Sequence, residues 1–241
     1  MKPVGCFSKV VACGAGLATV LMICSAQAAS GRAVVRTASG TASYAEQGGE
    51  WRPLKTGQAL APGATAKTGV DGAVNLFLGD NGPDVHLFDS TTLGLDRLNV
   101  ERTGTEAVVE TQLNLSAGTI QGYVRKLSAA SKYEVKTPNA VVGVRATPTR
   151  YQISANGVVH VKEGSMVVVY INPSTQQMST YTVTGNQSFV PPVNPAAPGA
   201  VPTVRPMRPG DWIEIATVTP TPSLVVVPQP EPFVSPVHPS K

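Results

Sequence analysis

The side chains of this chain that could do acid–base, nucleophilic or metal chemistry are few. They are His86, His160 and His238, the acidic turn Asp80-Asn81-Gly82-Pro83-Asp84, and Asp89-Ser90. Catalysis needs a nucleophile with its base, a carboxylate pair, or a metal site. His86 alternates with Val85 and Leu87, and His160 with Val159 and Val161. Both read as outward residues of strands, or as inner ones with a hydrogen-bond partner. With no paired histidine spacing, a zinc site is not expected. The Asp80–Asp84 stretch suggests calcium, but lacks the acidic ligand that an EF-hand loop supplies after its glycine. It reads as a hairpin turn. Asp89-Ser90 and the serines near His160 form no triad in sequence, although triads are assembled in space. No catalytic residue, metal ligand or cofactor is therefore assigned.

Thiol chemistry is also set aside. Cys6, Cys13 and Cys24 all lie in a segment that reads as an export signal. Lys2 and Lys9 give it a positive start, Val10 to Ile23 an apolar middle, and Ser25-Ala26-Gln27-Ala28-Ala29 a small-residue exit. Those are the three parts of a secretory signal peptide. The apolar run is shorter than the about 20 residues a bilayer span needs. Cleavage is placed after Ala28, with Ala29 as second choice, so residues 1–28 are the signal and the mature chain has no cysteine and no stable membrane span. A lipoprotein reading of Leu21-Met22-Ile23-Cys24 is disfavoured by the branched Ile23 where a small residue is wanted.

Removing residues 1–28 takes Lys2 and Lys9 from the 19 basic residues and none of the 15 acidic ones, so the net charge falls from +4 to +2. Nucleic acid calls for a clustered basic stripe, and the nearest thing to one, around Arg125, Lys126, Lys132 and Lys136, is interrupted by Glu134. Nucleic acid is not expected as a partner.

The elements that must position any site are strands. With 23 glycines, 21 prolines and few charges, the composition favours strands and turns. From Gly31 to about Phe189, short alternating runs are separated by turn residues. Residues 73–88 read as a β-hairpin around Gly79–Pro83, since Asn-Gly suits a tight turn. Met166 to Ile171 is nearly all apolar and reads as a strand buried on both faces. Leu98 to Glu110 reads as strand and loop. The fold class is all-β: many short antiparallel strands in a sandwich or solenoid-like roll. The domain is assigned to residues 29–190. Residues 191–241 hold 14 of the 21 prolines and read as a largely extended tail. Its island at 210–216 alternates apolar and acidic residues and carries Trp212. Docking of the island back onto the domain is placed slightly ahead of contact with a partner.

One family is similar in residue order. Trp51-Arg52-Pro53-Leu54, Gly57-Gln58-Ala59-Leu60 and Thr68-Gly69-Val70-Asp71-Gly72-Ala73-Val74 resemble the start of a FecR domain. Leu115-Ser116-Ala117-Gly118-Thr119-Ile120 resembles its glycine turn. Tyr133 to Thr147 resembles the family signature F-x-V-x-T-P-x-A-V-A-x-V-R-G-T, and Val159 to Val168 its V-x-V-x-E-G-x-V-x-V stretch. The order is collinear over roughly residues 31–190. Ala146 stands where the family has glycine. The family's namesake is a signal transducer with a cytoplasmic region and an internal membrane helix. Export from the first residue leaves room for neither, so the resemblance implies only the periplasmic part of that design. It implies an envelope domain that binds something, not anti-sigma activity. With the export signal and the lack of catalytic constellations, the chain reads as a periplasmic or secreted, non-catalytic module for protein interaction or signalling in the cell envelope. The residues assigned to partner binding are Thr137, Pro138, Arg145 and Thr147 in one loop beside a sheet edge, with Trp212 as the best external contact.

The alternative partner is a polysaccharide or peptidoglycan. It would be stacked on exposed aromatics among Tyr123, Tyr133, Tyr151, Tyr170, Tyr181, Trp51 and Trp212. Most of those tyrosines are expected in the core, and Trp51 is expected to cap one end of the sheet.

Overall fold

The computed structural model describes residues 29–103, 106–145 and 148–215. The strands run β1 Ala29–Ser30, β2 Ala33–Ser39, β3 Ala42–Glu46, β4 Arg52–Pro53, β5 Ala59–Leu60, β6 Ala64–Thr68 and β7 Ala73–Phe77. After a 3-10 turn at Gly79–Asn81 come β8 Asp84–Leu87, β9 Thr92–Thr103, β10 Glu106–Ala117, β11 Thr119–Val124, β12 Lys132–Thr137 and β13 Ala140–Val144. The series ends with β14 Thr149–Ser154, β15 Val159–Glu163, β16 Ser165–Ile171, β17 Met178–Thr184, β18 Gln187–Val190 and β19 Thr203–Pro206.

They form two sheets. The first has the order β17-β16-β13-β12-β10-β9-β6-β3-β4, with β1 paired to the far end of β9. The second has the order β19-β18-β15-β14-β11-β8-β7-β2-β5. The chain steps from one sheet to the other. Strand β10 lies in the first, β11 in the second and β12 again in the first, so β10 and β12 pair in parallel, Leu113 opposite Val135. That is one solenoid-like coil within an otherwise antiparallel roll, and the fold is all-β as the alternation requires.

Period-2 alternation builds the core. Leu93, Leu95, Leu113, Leu115, Val135, Val142 and Val168 point in from the first sheet. Val74, Leu76, Val85, Leu87, Ile120, Ile153, Val159 and Val161 meet them from the second. The hairpin predicted at 73–88 is present, Asn75 opposite His86. Its turn is more than a turn. Asn81 is fully buried and donates to Asn99 O at 2.9 Å and Thr111 Oγ1 at 3.0 Å, tying the hairpin to β9 and β10. Asp80 pairs with Arg102 and Asp84 with Arg36, so arginines hold the turn's carboxylates. The described residues hold no cluster of three or more potential metal ligands.

Three expectations change. Strand β16 is buried on one face only: Met166, Val168 and Tyr170 point into the core, while Val167 and Val169 on the outer face are half-covered by neighbouring strands. Its β-branched run is therefore packing within an antiparallel sheet. Strand pairing continues past Val190. Strand β19 adds to β18 despite Pro206, because an edge strand needs donors on one side only. Trp51 is 51 % exposed beside edge strand β4, with Lys67 Nζ 5.8 Å from its ring, and caps no core.

Candidate functional site

The second sheet carries a polar row on its outer face. Between inward apolar neighbours, one residue per strand points out, and the strand register sets these residues side by side. Thr37 faces Asn75, Asn75 faces His86 and His86 faces Gln121. The row continues through Gln152, His160, Ser188 and Arg205. An outward row on a sheet should be wet. Instead Gln152, His160 and Ser188 are buried, because residues 208–215 lie across them as a strap.

Asp211 pins the strap. Arg205 grips its carboxylate with both terminal guanidinium nitrogens, Nη1 at 2.6 Å and Nη2 at 3.2 Å, and the Arg208 backbone N–H adds a bond of 2.8 Å. Arg205 and that backbone donor hold the carboxyl well below the usual carboxylate range. Trp212 lies 5.9 Å from Lys162 Nζ, and the Ile213 N–H donates to Gln152 Oε1 at 3.0 Å. Ile215 then reaches a cleft of about 200 Å³ over Asn75, His86 and Gln121.

The strap also brings a serine, a histidine and an aspartate together. Ser188 Oγ donates to Asp211 Oδ2 at 3.3 Å, and His160 Nδ1 lies 2.8 Å from Ser188 Oγ. A hydrolytic triad places histidine between serine and aspartate, so that imidazole takes the hydroxyl proton. Here serine stands in the middle and its proton points to the carboxylate. Ser188 is fully buried and the carboxylate is engaged by Arg205. The cluster is a clasp for the strap.

Burial holds both His86 and His160 below the ordinary imidazole value; for His160 the nearby Asp211 opposes burial and Arg205 adds to it. A depressed histidine favours the fold while neutral, and that contribution is lost as pH falls below the unfolded value of about 6.5. Asp211 keeps its contribution until pH falls below its unfolded value of about 3.9. Acidification from pH 7 to 5 is therefore expected to lower the melting temperature and loosen the strap through the histidines. Trp212 fluorescence in a Trp51→Phe background should report it, and His160→Gln should flatten the slope. A response unaltered by His160→Gln would contradict this assignment.

The residues singled out from the sequence are not brought together. Thr137 closes the β12–β13 hairpin: its Oγ1 accepts the Ala140 N–H at 3.0 Å and donates to Ala140 O at 3.2 Å. Pro138 is the exposed corner of that turn, and Arg145 is exposed at the other end of β13, its backbone N–H bonded to Ser165 O at 3.2 Å. Residues 137–145 are thus a hairpin and an inner strand, not one loop beside an edge. Thr147 and Ala146 lie outside the described residues, as do the export signal, His238 and the tail after 215. Trp212 sits on the other sheet. Asn75, Gln121, Gln152, Ser188, Arg205 and Asp211 were not anticipated; the available signal was a single polar residue inside an apolar run, as in Tyr151-Gln152-Ile153.

The first sheet offers a second surface. Strand β17 pairs with β16 along all seven of its residues, and no strand pairs with its other side among the described residues. It contains no proline and no charge, the devices that usually protect an edge. No tyrosine among the described residues is exposed, so Trp51 stands alone as an exposed aromatic.

These features define an all-β, two-sheet domain. Residues 64–169 match the family model described as FecR protein, which is consistent with a FecR-like domain over that stretch. FecR is a signalling and regulatory family of the cell envelope. The match runs from β6 into β16, and β17, β18, β19 and the strap follow it. No curated protein matches the chain. Among the described residues no helix is long and apolar enough to cross a membrane.

Proposed function

We propose that this chain is an exported, non-catalytic FecR module that docks a protein of the bacterial cell envelope by accepting a strand on β17. The observation that carries this reading is the open edge Met178–Thr184, seven residues long and undefended. Strand addition draws affinity from main-chain hydrogen bonds and specificity from alternate side chains. Thr180 and Thr182 are the central two of the four exposed positions of β17, and a partner strand would flank them. The FecR match supports the envelope setting, and the export signal at residues 1–28 supports periplasmic or secreted placement. The inverted serine–histidine–aspartate clasp supports a role without catalysis.

The test is crosslinking in intact cells that make the full tagged chain, followed by pull-down. One or two envelope proteins should be recovered with the native chain and reduced at least about tenfold with Thr180→Lys/Thr182→Lys, since edge lysines block strand addition. The mature amino terminus should be Ala29 in the periplasmic extract. Recovery undiminished in the lysine variant would sink the edge as the docking site. Sedimentation with purified peptidoglycan and no protein partner would replace the reading with glycan binding.

A further inference from the structure

The strap covers only part of the polar row. Beyond Ile215 the row continues through Gln121, His86 and Asn75 at the floor of the cleft. There Asn75 Oδ1 and Gln121 Oε1 are buried and have no hydrogen-bond partner. A buried polar atom without a partner is costly, so such atoms point to a missing ligand or water. The same sheet shows what satisfies an amide of this kind, since Gln152 Oε1, opposite Gln121 in register, accepts a backbone N–H from Ile213. A side-chain amide offers a carbonyl acceptor and an NH2 donor, matching the N–H and C=O groups of an extended backbone.

The cleft also has a charge to spare. Asp84 at its rim is paired with Arg36 at 2.7 Å, whereas Arg150 has no ion-pair partner among the described residues. Tyr123 lines the cleft between them. Burial keeps His86 neutral in this setting, so it adds no second cation. The chain's own continuation, Ala216 to Pro230, has no acidic side chain and so supplies nothing for Arg150.

We infer that this open half of the row binds an extended acidic peptide segment of a partner protein. Its backbone bonds to Asn75 and Gln121 and its carboxylate pairs with Arg150, end to end with the strap. A carboxylate on a guanidinium is a charge-assisted, bidentate contact. The site is on the opposite sheet from β17 and does not depend on strand addition there.

The test uses the full mature chain and a fluorescein-labelled seven-residue peptide of alternating threonine, valine and glutamate, followed by anisotropy. The control peptide has glutamine in place of glutamate. Saturable binding is expected, at least about tenfold tighter for the glutamate peptide. Arg150→Gln should erase that preference, and Gln121→Leu should weaken both peptides. Thr180→Lys/Thr182→Lys should leave binding unchanged, which separates this site from the edge. Arg150 is exposed, so its variant is expected to keep the native melting temperature. No saturable binding at millimolar peptide, or an unaltered preference in Arg150→Gln, would overturn the inference. So would amide exchange in the free protein showing residues 216–222 protected like 211–215, because the chain's own tail would then fill the row.

Discussion

Tyr151→Ala is expected to cost about 5 kcal/mol, the sum of a large-to-small aromatic truncation and an orphaned hydroxyl. At about 2–4 °C per kcal/mol for a domain of this size, the melting temperature should fall by about 10–20 °C. Tyr133 comes from the first sheet and Tyr151 from the second. Their hydroxyls meet at 2.6 Å in the middle of the core, with ring centroids 6.1 Å apart. Both side chains are fully buried, and burial raises both phenol pKa values above the ordinary range. Each hydroxyl is the other's partner across the two layers. Tyr151→Phe alone therefore leaves Tyr133 unsatisfied, at a cost of about 1–3 kcal/mol. The double variant Tyr133→Phe/Tyr151→Phe should recover most of that loss, because replacing both partners leaves no orphan. Thermal unfolding followed by circular dichroism would measure the cycle. A double variant less stable than either single one would mean that the hydroxyl pair is net stabilising beyond mutual satisfaction.

Gly118→Ala is expected to cost about 3 kcal/mol or more, the upper end for backbone strain at one residue. Gly118 sits where the chain leaves β10 in the first sheet for β11 in the second, at φ +76. A Cβ there would lie 2.3 Å from Thr91 Oγ1 and 2.5 Å from Thr91 Cα. Thr91 cannot retreat. Its hydroxyl donates to Thr119 O and accepts the Thr119 N–H, both at 3.0 Å, and it is fully buried. Gly48 is the control. It has the same φ of +76 but nothing within 4 Å of its Cβ position. Gly48→Ala should cost only about 1 kcal/mol, the conformational share. Equal losses at the two sites in chemical denaturation would show that contact with Thr91 contributes nothing. The glycine at this turn is thus explained by close approach as well as by dihedral freedom.

Much of the fold was legible in the sequence, because strand alternation is local. Val74, Leu76, Val85 and Leu87 announce an inward face within a few residues, and Gly79–Pro83 announces the turn between them. The collinear resemblance was equally legible and agrees with the FecR match over residues 64–169. The burial of Tyr133, Tyr151 and Tyr170 followed from the same alternation. The candidate site was less legible. Alternation tells that Asn75, His86, Gln121, Gln152 and His160 leave the core side of their strands. It does not tell that they stand in one line, since that depends on the register of strands far apart in the chain.

The tail divides in the same way. Its proline content is a local property, and residues 191–202 form no strand, yet that content could not reveal that β18 would offer Thr203–Pro206 an edge. The Trp212 island alternates clearly, but its address was decided by Arg205, Ser188 and Gln152, which converge only when β14, β18 and β19 are paired. From sequence the stretch Thr137–Thr147 reads as one loop, because its motif residues are contiguous. Hydrogen bonding to β12 and β16 makes its middle a strand and separates Thr137 from Arg145. By itself, then, the sequence determined which residues form strands and which face of each is apolar, because those depend on neighbours one or two positions away. Only the tertiary structure decided which polar residues share a surface, which edge stays open and what lies over His160. Those are properties of long-range pairing, and no local pattern encodes them.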